Sequence, residues 1–325
     1  MKAIVRDEYG DPDVLRIAEI PAPTPAPGEV LVRVHVSSVN TADLDQLLGK
    51  PRIARLGTGV TGPRSGRLGL DLAGVVEAVG SEVTRFVAGD RVWADMFSSG
   101  TGAFAEYVCA KESSFVPLPQ DLSFTDAATI PHSGLLALQG LGVAGGVRSG
   151  QRVLINGAGG CVGPFAIQMA KARGAHVTGV DEGPKLDMVQ SLGADEVIDY
   201  QRDDFSRPGS RFDYILDIAA RRTLVAHMRA LANNGVYVRV ARNLGGFFSA
   251  AVFGGLLTGV TSKRLGVFTW KPNREADMAQ VAAMVADRSL TPLVDREFTL
   301  DSVPEALQYL IEGRARGKLL VDIRN

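Results

Sequence analysis

Apolar residues change their spacing in the middle of the chain. Residues 153–155 form a short apolar run, a glycine-rich loop follows, and the next apolar positions are three or four residues apart, as on one face of a helix: Val162, Phe165, Ala166, Met169 and Ala170. Gly174 stands where such a helix would end, and a second apolar run covers residues 176–180. This order predicts a strand, a glycine turn, a helix and a parallel strand joined by a right-handed crossover.

The alternation of strand-like and helix-like segments continues along the chain. The pattern predicts a helix that ends at Gly193, strands at 196–200 and 212–218, a helix over 223–235 and a strand at 236–240. Strands that alternate with helices are typical of the α/β class, with a doubly wound parallel sheet. We predict such a Rossmann-type domain over residues 122–270.

The two flanks of this domain have a different pattern. Residues 1–121 contain short strand-like segments separated by Gly and Pro turns, without a helix–strand rhythm. Residues 317–323 read GKLLVDI, a further strand that we expect to pair back with the first region. The sequence therefore predicts a β-rich domain made of residues 1–121 and 271–325, with the α/β domain inserted between its parts.

The glycine-rich loop indicates a chemistry for the inserted domain. Glycine lets a phosphate approach the free amides at a helix N-terminus, where the helix dipole also favours an anion. Asp181 ends the second strand, 21 residues after Gly160, at the place where an acid binds the ribose hydroxyls of a dinucleotide. We predict that the cofactor is held by Asp181 and by the loop, which comprises Asn156, Gly157, Ala158, Gly159, Gly160, Cys161, Val162 and Gly163.

Charge and cysteine content narrow the possible partners. The 325 residues carry a formal net charge of -1, which provides no field to attract nucleic acid or an anionic membrane. Cys109 and Cys161 are too few and too distant for a disulfide scaffold, and the N-terminus has no apolar signal core, so we expect a cytoplasmic protein. The apolar stretch 244–260 is interpreted as a loop and short helix lining a pocket or a subunit contact, with a membrane-facing patch as the alternative.

Several segments in a fixed order resemble the medium-chain dehydrogenase/reductase superfamily. They include GEVLVRVHVSSVNTADL at 28–44, LGLDLAGVVEAVG at 68–80, GAFAEYV at 102–108, AATIPHSGLLALQGL at 127–141 and INGAGGCVGPFAIQMAK at 155–171. Within the superfamily the chain is similar to the zinc-independent quinone oxidoreductase branch, which includes zeta-crystallin. The resemblance implies a GroES-like catalytic domain, a Rossmann domain, and hydride transfer from NAD(P)H to a small-molecule quinone or α,β-unsaturated carbonyl.

The resemblance also implies catalysis without zinc. Zinc-containing members have a cysteine where Asn40 stands and a His-Glu pair where Leu70 and Asp71 stand, and the histidines of this chain show no ligand spacing, so we interpret them as structural or surface residues. Asn40 matches the asparagine beside the nicotinamide and is expected to donate a hydrogen bond to the substrate oxygen, while Asp43 orders the loop. Lys271 stands near the place where the branch has a cation at the pocket mouth and is a candidate for that role, with a solvated surface lysine as the other interpretation.

The choice of cofactor rests on opposing signals. Members of the branch bind the 2′-phosphate of NADPH with a lysine and a tyrosine fifteen positions apart, and Lys185 and Tyr200 keep this spacing. Asp181 would instead repel the phosphate and favour NADH. We expect NADP(H) to be preferred over NAD(H). We also place Val240, Ala241 and Lys318 in the cofactor site.

Two other functions remain open. Related enoyl reductases act on enoyl thioesters but usually use a pocket tyrosine as proton donor, and the first domain offers only Tyr9 and Tyr107. A cofactor-binding protein with a structural or RNA-binding role is the other alternative, and the balanced charge argues against it. The strand RLGVFTW at 264–270 resembles the edge through which family members pair across a two-fold axis, so we expect a homodimer.

Overall fold

The computed structural model describes residues 1–207, 209, 211–240 and 262–324. They belong to two compact units: the first comprises residues 1–132, 271–287 and 294–325, and the second comprises residues 133–270 and 288–293. The stretch 244–260, which we interpreted as a pocket or contact segment, lies outside the described residues, as does Ala241. Among the helices that the structure describes, none is both long enough and apolar enough to cross a membrane.

The strands of the described residues fall in both units. In chain order they are β1 (Lys2–Val5), β2 (Arg16–Glu19), β3 (Glu29–Val39), β4 (Asp71–Val79), β5 (Arg91–Asp95), β6 (Tyr107–Lys111), β7 (Val116–Pro117), β8 (Arg152–Asn156), β9 (His176–Asp181), β10 (Glu196–Asp199), β11 (Phe212–Asp217), β12 (Leu231–Arg239), β13 (Arg264–Gly266), β14 (Val294–Thr299) and β15 (Lys318–Asp322).

The helices connect these strands. In chain order they are α1 (Thr41–Leu48), α2 (Arg55–Thr58), α3 (Phe124–Thr129), α4 (Ser133–Gly140), α5 (Gly163–Ala172), α6 (Leu186–Ser191), α7 (Leu224–Ala230), α8 (Glu275–Ala286) and α9 (Val303–Ile311). Short 3-10 turns lie at Pro12–Val14, Arg52–Ala54, Met96–Ser98, Glu112–Ser114, Val143–Gly145, Gly183–Lys185 and Leu300–Ser302.

The first unit is built on a sheet with the strand order β14-β15-β3-β4-β5-β7. The long strand β3 pairs with β4 along one side, and its other side pairs with β6 in the first half and with β15 in the second half. The prediction that residues 317–323 pair back with the first region is therefore confirmed. Alternate residues of β3 face a core that also includes residues of α9, so the sheet is covered on this side.

Helix α3 belongs to the first unit, although we expected residues 122–132 to begin the second. It packs against β3 and β4 and buries Ala127 and Ala128. The division between the units therefore falls after His132 rather than after residue 121. The sequence did not indicate this because a short apolar helix looks the same whichever sheet it covers.

The second unit contains a parallel sheet with the order β10-β9-β8-β11-β12-β13. From β8 the chain winds outward to β10 on one side, then returns to β11 and winds outward to β13 on the other. This is the doubly wound Rossmann order, and it confirms the predicted α/β class. In such sheets ligands bind beyond the carboxyl ends of the strands where the winding reverses, which here means between β8 and β11.

The helix after the glycine-rich loop has the predicted buried face. The five apolar positions used for the prediction are buried: Val162, Phe165, Ala166, Met169 and Ala170. One predicted element was wrong, because the helix expected over 223–235 ends at Ala230. Leu231 turns to extended backbone and pairs with Phe212, so residues 231–235 join β12 instead.

Candidate active site

A cluster of buried polar side chains lies in the first unit at the edge where β3 ends. Because β4 and β15 run antiparallel to β3, their first residues flank its last ones. This arrangement brings Asn40, Asp71 and Lys318 together although they are far apart in the chain. Asn40 is 1% exposed, and Asp71 and Lys318 are 0% exposed. Two charged groups so deeply buried must be paired to be tolerated.

Lys318 lies between the other two side chains. Its Nζ donates to Asn40 Oδ1 at 2.7 Å and to Asp71 Oδ2 at 3.1 Å. Asn40 Nδ2 donates to Asp71 Oδ2 at 3.0 Å and, in a longer contact of 3.4 Å, to the carbonyl oxygen of Ser38. The orientation of the Asn40 amide is therefore fixed by a cation on its oxygen side and a carboxylate on its nitrogen side.

Asp71 accepts further hydrogen bonds from its neighbours. The Ser38 hydroxyl donates to Oδ2 at 2.8 Å, and the His132 backbone amide donates to Oδ1 at 2.9 Å. With Asn40 and Lys318 the carboxylate has four donors, so it is both paired and solvated by protein groups. Sequence reasoning noted Asp71 only as a departure from a metal motif and missed its role at the centre of this cluster.

Asp43 orders the start of α1, as expected. Its Oδ2 accepts from the Asn40 backbone amide at 2.8 Å, in a reciprocal capping box with the Asn40 side chain. Burial raises the pKa of Asp43 to about 7, and the nearby Asp71 acts in the same direction, while the Asn40 amide opposes both. Its Oδ1 is buried and has no hydrogen-bond partner within the part of the chain that the structure describes.

His132 and Asp95 form a second buried polar pair that we did not anticipate. His132 Nδ1 lies 2.8 Å from Asp95 Oδ2, and Asp95 also accepts from the Phe97 amide at 2.8 Å. Burial lowers the pKa of His132, but the attraction of Asp95 outweighs it, so the pKa is raised. Asn273 bonds the Asp95 backbone and holds the segment that carries Lys271. Lys271 itself is exposed and stands outside the buried cluster.

The glycine-rich loop of the second unit follows β8 directly. Gly157 has φ 91, and its amide and that of Ala158 donate to the Val180 carbonyl at 2.9 and 3.1 Å, which ties the loop to β9. At Gly163 a Cβ would lie 2.1 Å from the Ala158 carbonyl oxygen, so only glycine permits this close approach. Cys161 and Val162 are buried beneath the turn, and Val162 is the N-cap residue of α5.

Asp181 is turned towards the backbone of this loop. Its Oδ2 accepts from the Gly159 amide at 2.7 Å and its Oδ1 from the Glu182 amide at 2.9 Å. The side chain of Lys185 packs on the loop, where its Cβ and Cδ would both lie 2.9 Å from a Cβ at Gly159. Lys185 Nζ lies 3.2 Å from Glu182 Oε1 and 4.0 Å from Asp181 Oδ1. Asp181, which favours NADH, and Lys185, which favours NADPH, thus lie side by side.

Asp217, at the end of β11, holds the start of the glycine-rich loop by hydrogen bonding. Asn156 Nδ2 donates to its Oδ1 at 2.7 Å, the Tyr237 hydroxyl donates to its Oδ2 at 2.7 Å, and the Val240 amide donates to its backbone carbonyl. Asn156 and Val240 are therefore held at the carboxyl edge of the sheet, as a cofactor site there requires. The sequence analysis missed Asp217, whose only signal is an acid at the end of a predicted strand.

Tyr200 follows β10 at the same edge of the sheet. Its hydroxyl accepts a hydrogen bond of 2.7 Å from Arg221, a residue we had not considered. Lys318, which we placed in the cofactor site, belongs to the buried cluster of the first unit. Ala241 lies outside the described residues.

Comparisons with known proteins cover nearly the whole chain. Residues 26–120 match the alcohol dehydrogenase GroES-like domain, and residues 192–321 match the family model described as zinc-binding dehydrogenase. A quinone oxidoreductase structure from Coxiella burnetii has a TM-score of 0.87 and 29% sequence identity, covering 100% of this chain and 99% of that one. The 2-methylene-furan-3-one reductase of Solanum lycopersicum is 29% identical over 99% of this chain and 79% of that protein.

The mitochondrial NAD(P)H oxidoreductase RTN4IP1 of Bos taurus is 32% identical over 99% of this chain and 89% of the relative. The chain belongs to the medium-chain dehydrogenase/reductase superfamily. The quinone oxidoreductase branch recognised in the sequence is confirmed, as are the GroES-like and Rossmann folds. This member of the superfamily is an oxidoreductase.

The buried cluster of this reductase does not fit a zinc ion, although one matching family model is described as zinc-binding. A catalytic zinc needs about three nitrogen, sulfur or oxygen ligands from the protein. Here the Lys318 ammonium lies between Asn40 and Asp71 and would repel a dication. Within the described residues, no group of three or more His, Cys, Asp or Glu side chains could hold a metal ion.

The second unit of the reductase does fit a nicotinamide dinucleotide. Its glycine-rich loop lies at the carboxyl end of β8, where the winding of the sheet reverses. The glycine-rich turn from Gly157 to Gly163 leads into the N-terminus of α5, which is the arrangement that receives a pyrophosphate. Asp181, Lys185 and Tyr200 stand at the same edge of the sheet.

Proposed function

We propose that this oxidoreductase uses NADPH in preference to NADH and reduces a quinone or another α,β-unsaturated carbonyl without a metal ion. The observation that carries the proposal is the Lys318 ammonium bonded to both Asn40 and Asp71. A protein cation here replaces the metal-ligand set of zinc-dependent relatives, so hydrogen-bond donors must stabilise the charge on the substrate oxygen. Conjugated acceptors suit such a site because conjugation spreads that charge.

Asn40 is the donor in this proposal. Its Nδ2 holds one hydrogen on Asp71 at 3.0 Å, while the other makes the 3.4 Å contact to Ser38, which is near the limit of a hydrogen bond. The second hydrogen is therefore redirected to a substrate oxygen at little cost, and Lys318 and Asp71 keep the amide plane in place. The reduced nicotinamide supplies the hydride when bound, and water or a cofactor hydroxyl supplies the proton.

Lys185 is one of the residues that support the preference for NADPH. Both carboxylate oxygens of Asp181 accept hydrogen bonds, one from the Gly159 amide and one from the Glu182 amide, so these amides partly neutralise its negative charge. Lys185 and Tyr200 then provide a cation and a hydroxyl for the 2′-phosphate. The same carboxylate already accepts two amide hydrogen bonds, which makes it a weaker acceptor for the free ribose hydroxyls of NADH.

We also propose a homodimer in the cytoplasm. Among the strands that the structure describes, β13 lies at an edge of its sheet, and Val267, next to it, is 66% exposed, so this edge is suited to pairing with a second copy. Cys109 and Cys161 do not form a disulfide, which suits a reducing compartment. Light scattering tests the dimer, and Val267→Lys should shift it to monomer.

The decisive experiment is NADPH oxidation followed by near-ultraviolet absorbance, with a metal chelator present. A small quinone and an alkyl enone are the acceptors, and a saturated ketone of similar size is the control. We expect rapid loss of NADPH with both conjugated acceptors, little with the saturated ketone, and slower loss for the variant Asn40→Ala. Activity that disappears with the chelator and returns with zinc would contradict the proposal, as would no turnover of any acceptor by the NADPH-bound protein.

A further inference from the structure

Tyr200 and Arg221 are linked although they follow strands that are not neighbours. Tyr200 comes after β10 and Arg221 after β11, and β9 and β8 lie between these strands. Three strand spacings of about 4.8 Å separate β10 from β11, or about 14 Å in all. Even so, an Arg221 guanidinium nitrogen donates to the Tyr200 hydroxyl at 2.7 Å, and its carbon lies 5.5 Å from the ring centroid. The pair therefore bridges the carboxyl edge of the sheet.

The loop that carries Arg221 lies directly on the glycine turn. The Ala219 amide nitrogen would be 3.1 Å from a Cβ at Gly157, and both the Ala219 and Ile218 amides donate to the Asn156 carbonyl. From this base the Arg221 side chain reaches across the end of β9, where Asp181 stands. A ribose held at the end of β9 would lie beside the Arg221–Tyr200 bridge.

The charges around the bridge leave Arg221 available to an anion. Lys185 is paired with Glu182 at 3.2 Å, and Arg202 with Asp199 at 3.6 Å. Arg221 instead bonds a neutral hydroxyl, and among the described residues no carboxylate lies within ion-pair distance of it. A guanidinium offers several donors in a planar fork, which matches the oxygens of a phosphate.

We infer that Arg221 binds the 2′-phosphate of NADPH together with Tyr200 and Lys185, and that it is the main determinant of NADPH preference in this chain. The inference rests on the proposed function, because it requires a nicotinamide dinucleotide as cofactor. It assigns the strongest phosphate contact to Arg221, which has no carboxylate partner among the described residues, rather than to Lys185, which Glu182 and Asp181 already neutralise.

The test compares two nucleotides that differ only in the 2′-phosphate, adenosine 2′,5′-bisphosphate and adenosine 5′-monophosphate. Both are titrated calorimetrically into the full chain, into Arg221→Gln and into Arg222→Gln. Arg222 is the matched control, because it is the adjacent exposed arginine and makes no hydrogen bond among the described residues. We expect Arg221→Gln to weaken the bisphosphate at least about tenfold, the loss of a charge-assisted hydrogen bond, and to leave the monophosphate unchanged.

The variant Tyr200→Phe removes the hydroxyl that holds Arg221 and should weaken the bisphosphate in the same selective way. Retained binding of the monophosphate shows that each variant is folded. Equal weakening of both nucleotides would overturn the inference, because Arg221 would then contact the adenosine rather than the phosphate. Equal behaviour of Arg221→Gln and Arg222→Gln would also overturn it, and the proposed function would stand. Failure of the unmodified chain to bind either nucleotide would overturn the proposed function itself.

Discussion

Replacing Lys318 with methionine should destabilise the first unit strongly without changing its packing much. Methionine fills a similar aliphatic volume, so the main change is the loss of the ammonium between Asn40 and Asp71. Breaking a buried ion pair costs about 3–5 kcal/mol. Asp71 keeps its bonds from Ser38, Asn40 and the His132 amide, so we expect the lower end, about 3 kcal/mol.

A double-mutant cycle with Asp71→Asn isolates the pair. Each single variant leaves one charge buried without its counter-charge, whereas the double variant removes both. We expect the double variant to be about 2 kcal/mol more stable than the sum of the single losses predicts. The free energy of unfolding is measured by urea denaturation, with a signal that reports the first unit.

The exposed pair of Arg16 and Asp7 is the control for this cycle. Its oxygen and nitrogen are 2.8 Å apart, compared with 3.1 Å for Lys318 and Asp71, but the side chains are 56% and 81% exposed. Water screens such a pair, so Arg16→Met should cost less than about 1 kcal/mol. Losses at Lys318 and Asp71 that simply add, to within about 0.5 kcal/mol, would refute the argument that burial makes this pair interdependent.

Three further predictions concern Asp43, the glycine-rich loop and Asp217. Because the pKa of Asp43 is raised to about 7 from an unfolded value of about 4, the folded state binds more protons in this range and the free energy of unfolding falls as the pH rises through it. Asp43→Asn should flatten that part of the pH profile, and an unchanged slope would contradict the assignment. Gly163→Ala should destabilise the loop, since its Cβ would meet a backbone oxygen, whereas Gly160→Ala has no neighbour closer than 3.8 Å and should keep stability in thermal melts. Gly160→Ala should nevertheless weaken NADPH binding, and normal affinity would place the pyrophosphate elsewhere. Asp217→Ala frees Asn156 and Tyr237 together and should weaken NADPH and NADH equally, as measured by fluorescence titration.

The sequence predicted the features that depend on local pattern. Apolar spacing located the strands and helix around the glycine-rich loop, and the alternation of elements implied the parallel sheet. The close approach at Gly163 and the acid at the end of β9 stand where a dinucleotide motif requires them. The error in α7 arose because the residues before Asn234, at φ 61, and Gly235 have helical propensity. The pairing of Leu231 with Phe212 on β11, which local pattern does not show, decided the outcome.

The sequence did not predict how charges pair across the sheet of the first unit. Asp71 and Lys318 are 247 positions apart, and no sequence motif indicates that they are in contact. The spacing of His132 from other polar residues gave no sign of a partner, and its pairing with Asp95 became evident only from the position of β5 in the structure. In each case the partner is set by strand order, which local patterns do not specify.

The position of β15 in the first sheet has a consequence for how the chain folds as it is made. β3 emerges from the ribosome early, but β15, which covers half of one of its sides, is translated only after the whole second unit. Until then the nascent chain holds an open strand edge and an Asp71 carboxylate without its ammonium, both of which favour unwanted association. The first sheet is therefore completed only after the described strands of the second sheet have been translated.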